Sequence, residues 1–249
     1  GGVLGVTRNL VSEFGRSRVV DTPISESAFI GAATGSALAG YLRPVVELQF
    51  IDFLGVCLDQ IINQAARLRA TSGGQASVPL VVRTMVGNGA RGSAHNGASY
   101  YSVMAHFPGL KVVLPSNPAD ALGLMKAAIR DPDPVIFCEP KALYERAGEV
   151  PDGEYIVSLG TADVKRSGSD VTVVALGAMV PETLAAATIL EKHHGMDVEV
   201  IDPRTLSPLD IGTIVASVVR TGRLVTVDEA NPVCSMSSEI ISGVARVAL

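Results

Sequence analysis

Short apolar runs alternate along the chain with longer stretches in which apolar residues return every three or four positions. The runs PVVELQF from Pro44, VPLVVRT from Val78, KVVLP from Lys111, PVIFCEP from Pro134, VTVVALG from Val171, DVEVID from Asp197 and RLVTVDE from Arg223 predict buried strands. Between them SAFIGAATGSALAG, IDFLGVCLDQIINQAARLRA, NPADALGLMKAAIRD, VPETLAAATILEKHH and SPLDIGTIVASVVRTG carry helical spacing with appropriate end signals. Strands that alternate with helices predict parallel sheets joined by right-handed crossovers, an α/β fold.

The alternation fails between about Lys141 and Asp170, where ALYERAGEVPDGEYIVSLGTADVKRSGSD is rich in charge, Gly and Ser. This predicts a linker at residues 146–170 between a first domain, residues 1–145, and a second, residues 171–249. The second stops inside a helical run, SSEIISGVARVAL, and the first residue is not Met, so the chain is expected to be a piece of a longer one.

Composition narrows the class. Hydrophobic residues make up 47% of the 249 and aromatics only 4%, without Trp, so the core must come from Val, Ile, Leu and Ala, as parallel sheets covered by helices require. The net charge of −5 comes without a Lys/Arg run, which excludes a nucleic-acid partner. No stretch approaches the roughly 18 apolar residues of a membrane span, and GGVLGVTRNL lacks the features of a signal peptide. A soluble, intracellular protein is expected. Cys57, Cys138 and Cys234 are odd in number and far apart, which speaks against a disulfide framework or a zinc pair and for buried small apolar residues.

Ligands in open α/β sheets sit beyond the carboxyl ends of strands, which directs attention to TPISES, QFIDF and GNGARGSAHNGAS. In the first, Glu26 opens a helix with Ser25 as its cap. It reads either as an ordinary helix-dipole acid or as a partly desolvated carboxyl able to share a proton. In the third, His95 reads as a general acid/base or as a loop histidine. The segment matches neither a P-loop nor GxGxxG. In AIRDPDP, Asp131 and Asp133 fit a Pro-rich turn, or a hard cation held by oxygen ligands. No GxSxG, HExxH or EF-hand pattern is present.

The ordered string GGVLGVTRNL, DTPISE, GYLRPVVELQFIDF, DQIINQAARLR, SGGQASVPLVVRT, HFPGLKVVLPS, AIRDPDPVIFCEPK, VIDPRTLSPLD and TGRLVTVDEA resembles the beta subunit of the decarboxylating component of 2-oxo acid dehydrogenases, in the transketolase superfamily. The resemblance implies a pyrimidine-binding domain and an incomplete transketolase C-terminal-like domain, in an alpha2beta2 heterotetramer with an alpha subunit. It implies thiamin diphosphate, decarboxylation of a 2-oxo acid (pyruvate, branched-chain or acetoin type) and transfer of the acyl unit to a lipoyl-bearing acyltransferase core. Such a protein is expected in the bacterial cytoplasm, or in the mitochondrial matrix of a eukaryote.

Carried over residue by residue, the resemblance puts Glu26 against N1′ of the aminopyrimidine, where a protonated carboxyl favours the tautomer that activates the cofactor. Phe53 would lie beside the ring and Ile24 in its pocket. A structural potassium ion is implied at Leu80, Ala128 and Asp131, with Asp133 close by. No GDG occurs, so Mg²⁺ and the diphosphate are assigned to the alpha subunit. One departure stands out: counted without gaps, the family's active-site histidine falls on Asn96, with His95 one place earlier. Two alternatives therefore stay open, a non-catalytic assembly or regulatory paralogue and half of a split transketolase or deoxyxylulose-phosphate synthase.

Overall fold

The computed structural model describes residues 2–89 and 96–248. Its strands are β1 (Val45–Phe50), β2 (Val81–Val86), β3 (Lys111–Val113), β4 (Val135–Pro140), β5 (Asp163–Arg166), β6 (Val171–Ala175), β7 (Val198–Asp202), β8 (Thr205–Ser207) and β9 (Leu224–Val227). They form two sheets, ordered β1-β2-β4-β3-β8 and β5-β7-β6-β9. Within each the central pairings are parallel, while β8 and β5 lie antiparallel at an edge. The helices are α1 (Leu10–Phe14), α2 (Glu26–Leu38), α3 (Leu54–Asp59), α4 (Leu68–Thr71), α5 (Tyr101–Ala105), α6 (Pro118–Arg130), α7 (Met179–His194), α8 (Ile211–Thr221) and α9 (Met236–Ala248). Among the described residues no helix is long and apolar enough to cross a membrane.

All seven apolar runs become strands; β2, β6 and β7 are buried at every position, as central parallel strands covered by helices are, whereas β1 and β9, at sheet edges, stay partly exposed. Val82, Val86 and Ile136 face a core shared with Ile30, Ala33 and Ala37 of α2, whereas Val81, Val135 and Phe137 face Leu124 and Ala128 of α6. The helix starts also obey local chemistry. The Asn117 side chain accepts from the Asp120 N–H at 2.8 Å with Pro118 in the first turn of α6, and Asp210 accepts from the Thr213 N–H at 3.1 Å at the head of α8.

Four expectations need correction. The helix expected over residues 51–70 is divided: a tight turn at Ile51–Phe53, α3, a π turn over Gln60–Ala65 closed by Ala66 N–H to Ile61 O at 2.9 Å, then α4. Residues 146–170 are not free chain. Tyr155, Val157 and Leu159 pack on α6, where a Cβ on Gly123 would meet Val157 Cγ2 at 2.5 Å, and Asp163–Arg166 pairs with β7. Ser25 holds the N-cap position of α2 but makes no capping bond. Cys57 and Cys138 are buried, but Cys234 is exposed.

The halves are joined by more than the covalent chain. β8, which follows the second-domain strand β7, pairs with β3 of the first sheet. The largest core runs from Ile30 through Val174, Ile201 and Leu206 to Ile240. Beside it, the buried Asp120 carboxylate receives Lys165 Nζ at 2.6 Å and Arg204 Nη1 at 2.9 Å. Burial alone would raise this carboxyl; the two cations overcome that and hold it below the usual range.

Candidate functional site

Four strand carboxyl ends converge. β1, β2 and β4 are neighbours, and they lead into Ile51–Phe53, Gly87 and Lys141 respectively. The Lys141 ammonium stands 5.2 Å above the centroid of the Phe50 ring, a cation–π contact. Phe50 and Phe53 meet edge to face with centroids 6.0 Å apart. Gly89 lies so close to the next segment that a Cβ there would come within 2.4 Å of Ala142 N. The fourth end, that of β9, delivers Asp228, which accepts a hydrogen bond from the Tyr101 hydroxyl.

Glu26 is the first residue of α2 and is half-buried. Its neighbour Ser27 donates from Oγ to Val56 O at 2.5 Å, which ties the first turn of α2 to α3. The Cys57 thiol is pushed up to about 11, by burial first and by the negative charge of Glu26 second. The carboxylate is therefore within Coulombic reach of Cys57, whose Sγ lies 3.9 Å from Phe53 O one helical turn earlier. Cys57 thus feels the Glu26 charge and points its thiol at the backbone carbonyl of Phe53. Ile24 is 91% exposed, so the pocket expected around it is not closed by this chain alone. Asn96 is half-buried at a bend, and His95 lies outside the described residues.

A carboxylate at a helix start, an aromatic ring and an open apolar side chain fit an aminopyrimidine, which has apolar faces and a hydrogen-bonding edge. Thiamin diphosphate is the cofactor on which the pyrimidine-binding fold would place these groups. An open trough of about 940 Å³ on the second sheet, bordered by Val173, Leu190, His194 and Arg223, includes none of them.

The turn expected to hold potassium is already supplied with positive charge. Asp131 binds Lys111 Nζ through both oxygens at 2.7 Å, and Asp133 pairs with Arg69 and, at 3.4 Å, with Lys111. Arg43 Nη1 donates to the carbonyls of Ile129 at 2.9 Å and Asp131 at 3.0 Å. The Leu80 carbonyl accepts from Val135 N–H at 2.8 Å and that of Ala128 from Asp131 N–H at 3.3 Å. Lys111 and Arg69 meet the two carboxylates and Arg43 meets the carbonyls, so these residues, as arranged, do not fit an additional cation.

Lys141, Asp52, Asp228 and Tyr101 escaped the sequence reading. The rule that strand ends carry ligands applies to TVDEA as much as to QFIDF, and would have found Asp228.

Comparison with known proteins agrees with the fold. The chain matches the family Transketolase, pyrimidine binding domain, over residues 1–146, and the family Transketolase, C-terminal domain, over residues 160–249. It is 52% identical over 248 residues to the acetoin:2,6-dichlorophenolindophenol oxidoreductase subunit beta of Cupriavidus necator, covering 100% of this chain and 72% of that protein. It is 46% identical over 243 residues to the pyruvate dehydrogenase E1 component subunit beta of Bacillus subtilis, covering 97% and 74%. A solved structure described as a split gene transketolase, inactive beta4 tetramer, superposes with a TM-score of 0.83 at 23% identity, covering 99% of this chain and 77% of that one. At that identity the likeness concerns the fold.

Proposed function

The chain belongs to the beta subunits of thiamin-diphosphate-dependent 2-oxo acid dehydrogenases, an oxidoreductase family built on transketolase domains, and on that premise we propose that it supplies the pyrimidine half of a shared active site. With an alpha partner it would cleave the bond beside the carbonyl of a small 2-oxo compound, a 2-oxo acid or acetoin. Acetoin is favoured because the identity to an acetoin-acting relative, 52%, exceeds the 46% to a pyruvate-acting one. The observation that carries the reading is Glu26, a half-buried carboxylate at the start of α2 beside the Cys57–Phe53 turn.

Bound thiamin diphosphate supplies a thiazolium carbon nucleophile and a sink for the electrons of the breaking bond. This chain's residues do the rest of the work assigned to it. Glu26 holds a proton at N1′ of the pyrimidine, and Phe53 covers the ring. Asn96, or His95 beside it, orients the substrate; Asn can donate and accept hydrogen bonds but carries no proton at neutral pH. Ile24 completes the wall once a partner covers it. The partner would supply the diphosphate and Mg²⁺ sites, in an alpha2beta2 assembly that passes the acyl unit to lipoyl groups of an acyltransferase core. Potassium is left out, since Arg43, Lys111 and Arg69 already meet the oxygens of its turn.

The test is turnover by this chain co-purified with an alpha partner, using 2,6-dichlorophenolindophenol as acceptor, on acetoin and a panel of 2-oxo acids. Cofactor-dependent reduction with acetoin ahead is expected. A stable complex inactive on every substrate would favour the assembly paralogue, and ketol transfer without any lipoyl acceptor would favour the split transketolase.

A further inference from the structure

Glu229, the second residue beyond β9, reaches into the first domain. Its Oε2 accepts a hydrogen bond from the Asn88 N–H at 3.2 Å. It also lies against Gly87, whose φ is +83°, so closely that a Cβ there would meet Oε1 at 2.2 Å. On the other stem of the same segment, Asp52 Oδ1 accepts from the Ala98 N–H at 3.3 Å. The stems are joined directly by Gly87 N–H to Ala98 O at 2.9 Å. Lys141 feels both acids: burial lowers its pKa, while Asp52 and Glu229 oppose that shift. The two carboxylates that accept from opposite stems therefore both act electrostatically on Lys141. Three residues beyond Ala98, the Tyr101 hydroxyl donates to Asp228, so both acids that follow β9 grip the ends of one segment.

We infer that Glu229 is a positioning residue for the reaction. Together with Asp52 and Lys141, it fixes Gly87–Gly89 and Asn96–Ala98 against the carboxyl end of β1, and so sets where Asn96 stands relative to Phe53. This rests on the functional reading above, in which Asn96 or His95 orients the substrate. Carboxylates accepting from backbone N–H groups make charge-assisted bonds that fix direction as well as distance, and misplacement of about 1 Å costs on the order of a hundredfold in rate.

Glu229→Ala and Glu229→Gln, made in the complete alpha–beta complex, separate this role from simple packing. The alanine variant should lose roughly tenfold or more in kcat, with KM and melting temperature close to those of the unaltered complex. Amide exchange should quicken at Asn88 and Ala98. Glutamine keeps an acceptor oxygen for the Asn88 N–H and should recover most of the rate and protection. Unchanged exchange and kcat in the alanine variant would overturn the inference, as would equal losses in both variants accompanied by a fallen melting temperature. Exchange needs no turnover, so an inactive unaltered complex would count against the functional reading, while protection at Asn88 and Ala98 still decides whether Glu229 holds the stems.

Discussion

Ser116 Oγ lies 2.5 Å from Asp202 Oδ2 and donates to it across the join between the two sheets. Asp202 ends β7 with no exposed surface. Arg204 N–H gives its other oxygen a second hydrogen bond at 3.0 Å. Burial nonetheless dominates and pushes the carboxyl from its ordinary 3.8 up to about 7, against the pull of Ser116 and Lys165.

The sign of the resulting pH dependence follows by linkage. Between about 4 and 7 the folded chain binds a proton that the unfolded chain has released. The stabilisation is complete below the ordinary value and is lost as pH rises through about 7. Asp202→Asn keeps the neutral shape without the titration. The unaltered protein should lose melting temperature from pH 5 to pH 8 more steeply than the variant, by calorimetry. Parallel slopes would show that Asp202 is already ionised at neutral pH.

Glu26→Gln should abolish cofactor-dependent turnover while leaving the complex with the alpha partner intact on size-exclusion chromatography. Glutamine matches the size of Glu26 and can donate a hydrogen bond, but it has no acidic proton to transfer to N1′, a contribution worth roughly 10²–10⁴-fold for a positioned acid or base. Retention of more than a tenth of the activity would remove Glu26 from the chemistry.

Arg83, on the central strand β2, is almost fully buried. It grips Glu139 with two nitrogens, at 2.9 and 2.7 Å, and Glu47 with a third at 2.8 Å, while Tyr144 donates to Glu139. Arg83→Met should cost about 3–5 kcal/mol, because Glu139 would stay in the sheet without its cation. Urea unfolding measures this directly. A loss below about 1 kcal/mol would mean that water or a shift of Tyr144 compensates.

At the Asp131 turn, exchanging potassium chloride for choline chloride should leave the melting temperature unchanged, because Arg43, Lys111 and Arg69 already meet the oxygens there. Arg43→Ala frees the carbonyls of Ile129 and Asp131 and should introduce a potassium dependence. A dependence already present with Arg43 in place would show that ion and guanidinium share the turn.

What could be read from the sequence depended on how long a pattern persists. Val81–Val86 and Val171–Ala175 are buried at every position, and mostly apolar runs marked them despite Arg83, Thr84 and Thr172. Thr205–Ser207 and Asp163–Arg166 are too short to show a period, and DVKR looks like loop because Lys165 is there to meet Asp120 and Asp163 rather than to fill a core. The π turn at Gln60 leaves no mark in the spacing. At the site, Glu26 was visible as a helix-start acid, but its companionship with Phe53 came from resemblance, since 27 residues separate them and only the packing of α2 on α3 brings the Glu26 charge to Cys57, one helical turn from Phe53. Glu229 and Asp52 were hidden for a similar reason: they act on backbone N–H groups far away in sequence, and a backbone donor has no signature.

The antiparallel strand β8 limits how such chains can be recombined. A chimera that takes its first domain from one relative and everything after residue 145 from another would unite a sheet with an edge strand of foreign origin, matched to Val112 and Val113 of β3 only by chance. A first domain expressed alone would expose β3 as an unpaired edge open to other chains. Exchangeable modules in this architecture are therefore not the stretches between linkers, and a working graft has to carry Thr205–Ser207 together with the sheet that it completes.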